Sequence, residues 1–132
     1  MKSSALSNHL MTKNTIGTDI VSVNRIKKLA ENHDFNFYRH VYTDEEVLWC
    51  NDRSSPHIHL AGRFAAKEAV KKAILSQGEK AVIPLNTIEI RRESDGPPQI
   101  HLLSELSKIY SVEVSISHTD EYAIAVALAS AE

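Results

Sequence analysis

Two carboxylates stand in this sequence where the pattern around them is apolar. On the period-2 template of a strand, TIGTDIVSV puts Gly17, Asp19, Val21 and Val23 on one face, so Asp19 shares that face with apolar residues. Downstream, LAGRFAAKEAVKKAI gathers Ala61, Gly62, Ala65, Ala66, Ala69, Val70 and Ala73 on one small-residue face of a helical wheel, with Glu68 at its edge. A helix this smooth is suited to lie close against a sheet or another helix. A carboxylate at that boundary is partly desolvated unless something pairs with it. If the two acids converge, they suit Mg²⁺, which keeps several waters and takes one or two protein carboxylates beside phosphate oxygens. Each also has an ordinary use. Lys72, four residues after Glu68, can form an i,i+4 pair worth ~0.2 to 0.5 kcal/mol, and Asp19 can cap a helix that begins near Ser22. Spacing leaves these alternatives open.

The elements that must position these acids follow from periodicity. TIGTDIVSV reads as a strand, and SVNRIKKLAEN as a short helix from near Ser22, with Val23, Ile26, Leu29 and Ala30 inward and Arg25, Lys27 and Lys28 outward. In FNFYRHVYTDEEVLWCN, Thr43 and Glu46 have capping-box spacing, so a second helix starts there. NDRSSPH is a loop by composition, and the long helix spans residues 59 to 75. Beyond Gly78 the period changes to 2 in NTIEIRRE, QIHLL, VEVSIS and YAIAVAL, with DGPP and SHTDE as turns and SELSKIY as a helical turn. Helices first and strands afterwards give an α+β class, with a largely antiparallel sheet packed on one long helix. Residues 1–14 read as a tail without a secretory h-region, with Met11 as an alternative start, and residues 15–132 as one domain.

Composition narrows the function classes. A hydrophobic fraction of 42%, with no apolar run near the length of a bilayer span, is that of a soluble protein and argues against a membrane role. A net charge of -2 argues against a general nucleic-acid binder. Cys50 is the single cysteine, read as a small buried hydrophobe, and it fits a reducing, cytoplasmic compartment. The seven histidines lack metal-ligand spacing; His57 and His59 fall in a polar turn, and most read as surface residues.

The order of TIGTDIV, a basic helix, LAGRFAAKEAVKKAI, GPP after an IEI strand and VSISHTDEYAIAV resembles the bacterial holo-acyl-carrier-protein synthases, over residues 15 to about 129. These are the small trimeric members of the 4'-phosphopantetheinyl transferases. GRFAAKEA with an upstream G-x-D-I and a downstream S-x-S-H is the specific combination. The resemblance implies a 4'-phosphopantetheinyl transferase-like fold and a role in fatty acid biosynthesis. The serine hydroxyl of an apo acyl carrier protein attacks the phosphorus that bears the pantetheine arm of coenzyme A, and adenosine 3',5'-bisphosphate leaves. It further implies that Asp19 and Glu68 hold Mg²⁺ with the pyrophosphate, that Lys72 neutralises phosphate charge, and that Glu68 is the candidate base. Arg63, Gly96, Pro98 and His118 are the other expected coenzyme A contacts. By wheel position Arg63, Lys67 and Lys71 lie on the more solvated side, where an exposed face and a phosphate contact both stand open. Arg25, with Lys28, matches the surface that meets the acidic helix of the carrier protein. The assembly implied is a homotrimer with its active site between subunits.

Three departures from the family pattern stand out. LSQGEK keeps one glycine after the long helix, FYRHVYT carries His40 in an arginine position, and Gly96, Pro97, Pro98 replaces G-K-P, which removes a cation near the nucleotide. Two rival readings differ in class. A coenzyme A or nucleotide-binding module without transferase activity would keep Gly96 and His118 but has no use for both acids. A structural trimer subunit would leave the Arg25 helix an ordinary solvated face.

Overall fold

The computed structural model describes residues 13–93 and 96–131, and for residues 33–35 the backbone alone. Most of the expected tail lies outside the described residues, and Asn14 already opens the first strand. Strand β1 is Asn14–Ser22, followed by helices α1 (Val23–Val41), α2 (Asp44–Asn51) and α3 (Pro56–Leu75). Strands β2 (Ile88–Arg91), β3 (Gln99–Leu102), β4 (Tyr110–His118) and β5 (Tyr122–Ala131) complete the chain, with short 3₁₀ turns at Leu85–Thr87 and Glu105–Lys108. The class is α+β and every strand pair is antiparallel, as expected. The strands form two sheets, however, one with the order β1-β5-β4 and the other a β2-β3 ribbon. Among the described residues no helix is long and apolar enough to cross a membrane.

The helices depart from expectation at their ends. Ser22 caps α1 and accepts from the Arg25 backbone N–H at 3.2 Å, so the capping alternative for Asp19 is not used. The helix does not stop near Asn32 but runs on to Val41, since Phe37 packs on Phe64 of α3 at 6.3 Å and on Tyr42 at 5.7 Å. Burial of those rings outweighs the weak helical signal of FNFYRHV. Thr43 and Glu46 form the expected capping box. α3 begins at Pro56, where a missing N–H costs nothing, so His57 and His59 sit in its first turns and not in a loop.

α3 lies on the three-stranded sheet through its small face. Ala61, Ala65, Ala66, Ala69 and Ala73 are fully buried, opposite Ala123, Ala125, Ala127 and Ala129 of β5. β1 comes closest: a Cβ on Gly17 would stand 1.9 Å from the Ala69 carbonyl oxygen, so only glycine allows this approach. The opposite face of the sheet carries Ile16, Ile20, Tyr122, Ile124, Val126 and Leu128, all exposed in the single chain.

Candidate active site

The close contact at Gly17 delivers Asp19 to the helix. The Thr15 hydroxyl donates to the Ala73 carbonyl at 2.6 Å and Gly17 meets Ala69, so each two-residue step along β1 moves toward the N-terminus of α3. The next inward residue is Asp19. Its carboxylate lies 3.3 Å from the Lys72 ammonium, which also donates to the Thr18 carbonyl at 3.0 Å. Lys72 therefore pairs across elements with Asp19 and not with Glu68. Glu68, half-buried one helical turn from Lys72 on the same flank, has no hydrogen bond or ion pair among the described residues. An unpartnered carboxylate on the same flank as an Asp–Lys pair is a donor set whose chemistry suits a divalent cation. Two acids are present, and no cluster of three or more His, Cys, Asp or Glu suited to a metal occurs among the described residues.

The other expected residues gather elsewhere. A cleft of about 430 Å³ is lined by Arg63, Arg92, Pro97, Pro98, His59 and His118, among others. Gly96 directly precedes the prolines in sequence, and its carbonyl accepts from the Arg92 Nε at 2.8 Å. Arg63 is not on a solvated side as expected: it is 4% exposed, with its guanidinium 4.0 Å from the Trp49 ring centre. Arg53 lies over the same ring at 3.9 Å. One ring face has room for one guanidinium at that height, so the two sandwich the indole. The Nε atoms of Arg53 and Arg63 are buried without a partner among the described residues. Burial, followed by the charges of Arg63, His118, Arg53 and Arg92, lowers the pKa of His59. Burial likewise lowers that of Arg63, against the pull of Glu46. Two arginines, Arg63 and Arg92, beside His59 and His118 make a pocket for a multiply charged anion.

The two groups do not meet within one chain. On an ideal wheel Glu68 stands roughly 180° from His59, and Lys72 roughly 180° from Arg63. The acids and Lys72 flank α3 on its β1 side, and the arginine cleft flanks it on its β4 side, where Gly62 packs on Ile116. Arg25 and Lys28 are exposed on α1 and border a shallow hollow with Ser22, Asn24, Leu29 and Asn32. Lys67 is the largest departure, since it is fully buried. The pattern of residue types missed His59 and Arg92 as cleft residues, and Trp49 and Arg53 as the stack that holds Arg63. A usable signal was the i,i+4 spacing of His59 and Arg63, which puts both on one flank of α3.

Comparison with known proteins fits this geometry. A family model described as the 4'-phosphopantetheinyl transferase superfamily matches residues 15–127. A holo-[acyl-carrier-protein] synthase of Thermodesulfovibrio yellowstonii is 41% identical over 110 residues, covering 83% of this chain and 92% of the relative. One from Chlamydia trachomatis is 39% identical over 117 residues, covering 86% and 97%. Among solved structures, the Neisseria meningitidis holo-[acyl-carrier-protein] synthase has a TM-score of 0.75 at 34% identity, covering 87% of this chain and 96% of its own. A Bacillus anthracis synthase solved in complex with coenzyme A (3',5'-ADP) has a TM-score of 0.74 at 29% identity, covering 92% and 100%. With the matched stretch running from β1 through both flanks of α3 into β5, the chain belongs to the holo-[acyl-carrier-protein] synthases of the 4'-phosphopantetheinyl transferase superfamily.

Proposed function

We propose that this chain moves the 4'-phosphopantetheine arm of coenzyme A onto a serine of apo acyl carrier protein, in fatty acid biosynthesis, with Mg²⁺ held by Asp19 and Glu68. The observation that carries the metal assignment is the Asp19–Lys72 contact on the flank that bears the unpartnered Glu68. When bound, the metal supplies positive charge where negative charge rises on the transferring phosphate. Lys72 has a flexible arm and is half exposed, so it can turn from Asp19 to a phosphate oxygen. Glu68 can take the serine proton while in a position to accept it. Arg63, Arg92 and His118 offer donors to the remaining phosphates, with Pro98 and Gly96 forming the wall against the nucleotide. Arg92 stands where the cation of G-K-P is missing. Arg25 and Lys28 offer the docking charges for an acidic carrier protein.

The separation of the two flanks supports a site completed by a second copy. The apolar outer face of β1 and β5, with Ile16 62% and Ile20 64% exposed, needs cover, and a homotrimer provides it. A single cysteine supports a reducing, cytoplasmic setting. The test is incubation with coenzyme A, Mg²⁺ and apo carrier protein, read as a mass gain of the phosphopantetheine arm. Asp19→Asn and Glu68→Gln each lower turnover by orders of magnitude without loss of fold. Near-wild-type turnover in either variant at saturating Mg²⁺ removes that residue from the metal site. Coenzyme A binding without any mass gain favours the binding-module alternative.

A further inference from the structure

Lys67 is the neighbour of Glu68 in sequence and the largest fully buried side chain of the described residues. Its ammonium lies 2.6 Å from the Glu46 carboxylate of α2, with both side chains at 0% exposure. It also donates to the carbonyls of Leu85, at 3.1 Å, and Ile88. Glu46 in turn accepts from the backbone N–H of Thr43 and of Ile90, both at 2.9 Å. The pair thus satisfies backbone groups at the start of α2, in the 3₁₀ turn and in β2. Burial lowers the Lys67 pKa and the Glu46 charge opposes that shift, so the ammonium has its counter-charge in place. Apolar residues of equal volume would fill the space but strand those four backbone groups.

The seat of α3 explains why such a pair matters for chemistry. Its sheet-facing side is alanine and glycine, which resists separation but has low ridges to resist rotation or sliding. Directional bonds must fix the helix azimuth. Near Glu68 that bond is the Lys67 cage, about 100° around the helix from Glu68. One turn earlier, Trp49 of α2 seats Arg63, so Glu46 and Trp49 on α2 meet Lys67 and Arg63 on α3 as two rungs.

We propose that the buried Glu46–Lys67 pair is a positioning device for phosphopantetheine transfer: it sets the rotation of α3 against α2 and β2 and thereby aims Glu68. This rests on the reading of Glu68 as a metal ligand. The pair itself touches neither substrate nor metal.

Two variants test it: Glu46→Asp, which keeps the charge and shortens the arm, and the double variant Glu46→Gln/Lys67→Met, which removes both charges together. Each is followed by thermal melting, by emission of Trp49, the single tryptophan, by kcat, and by the carrier-protein KM. Mn²⁺ affinity in the presence of coenzyme A is read directly by electron paramagnetic resonance. The expected result is a cooperative melt, a red-shifted Trp49 emission, and kcat and Mn²⁺ affinity each lowered at least ~10-fold. The carrier-protein KM stays within about twofold, since α1 carries the docking face. Folded variants with wild-type kcat and Mn²⁺ affinity overturn the proposal. So does a uniform loss that tracks the folded fraction, or failure of both variants to fold, which assigns the pair to stability alone. Glu68→Gln run beside them separates the claims. Full turnover there removes the metal reading, whereas loss there with wild-type behaviour in both pair variants overturns only the positioning role.

Discussion

Replacing Gly17 by alanine forces β1 away from α3 by an amount the structure fixes. The new Cβ would lie 1.9 Å from the Ala69 carbonyl oxygen and 2.6 Å from the Ala73 nitrogen, both backbone atoms that no rotamer change can move aside. Ordinary contact begins at 3.4 Å, so the strand must retreat by 3.4 − 1.9 = 1.5 Å. Overpacking of this kind costs ~1 to 3 kcal/mol. The Thr15–Ala73 and Lys72–Thr18 bonds cross the same gap, and their weakening adds ~1 kcal/mol each at most. A loss of about 3 kcal/mol corresponds to a melting temperature lower by about 10 °C for a chain of this size. Asp19, two residues along, moves with the strand, and a misplacement on that scale lowers turnover by ~10²-fold. Melting by circular dichroism and the mass-gain assay check both numbers. Gly78→Ala is the control: its φ of 95° makes alanine strained, but nothing lies within 4 Å, so ~1 kcal/mol is lost and turnover is kept. A Gly17→Ala protein that melts within about 2 °C of the parent and keeps full turnover would refute the reasoning.

Further tests address the surface and the buried thiol. Arg25→Glu raises the carrier-protein KM by about tenfold for each ~1.4 kcal/mol lost and flattens its dependence on ionic strength, with the coenzyme A KM unchanged; an equal rise in both KM values would put α1 in the nucleotide site instead. If the proposed homotrimer forms, Val126→Glu on the outer face of β5 turns it into smaller species by light scattering and lowers activity with it, and an active monomer of the parent chain contradicts the shared site. Burial pushes the Cys50 thiol up to about 11, so iodoacetamide modifies it at the rate of unfolding and not at that of an exposed thiol. His59 binds its proton less readily in the fold than in the unfolded chain, so the unfolded chain holds more protons below the ordinary histidine range. Its contribution to stability is therefore lost as pH falls from about 6.5 through the lowered folded-state value, and His59→Gln flattens the melting temperature against pH in that window.

Local sequence determined those features whose cause lies within one element. The Thr43–Glu46 capping box, the inward face of Gly17, Asp19 and Val21, the small face of α3 and the alternation of β5 each follow from spacing, because neighbours on one helix or strand face are set by 3.6- and 2-residue periods. Tertiary structure decided what depends on partners far apart in sequence. The i,i+4 rule offered Glu68 to Lys72, but the strand that Gly17 brings close put Asp19 within its reach. The wheel set Arg63 and Lys67 on the solvated side, yet α2 folds over that side and supplies an indole for one and a carboxylate for the other. The continuation of α1 to Val41 and the splitting of the strands into two sheets also depend on remote packing. A lysine's type records its charge and length, and these suit water or a buried cage equally; which it meets is settled by the elements that close around it.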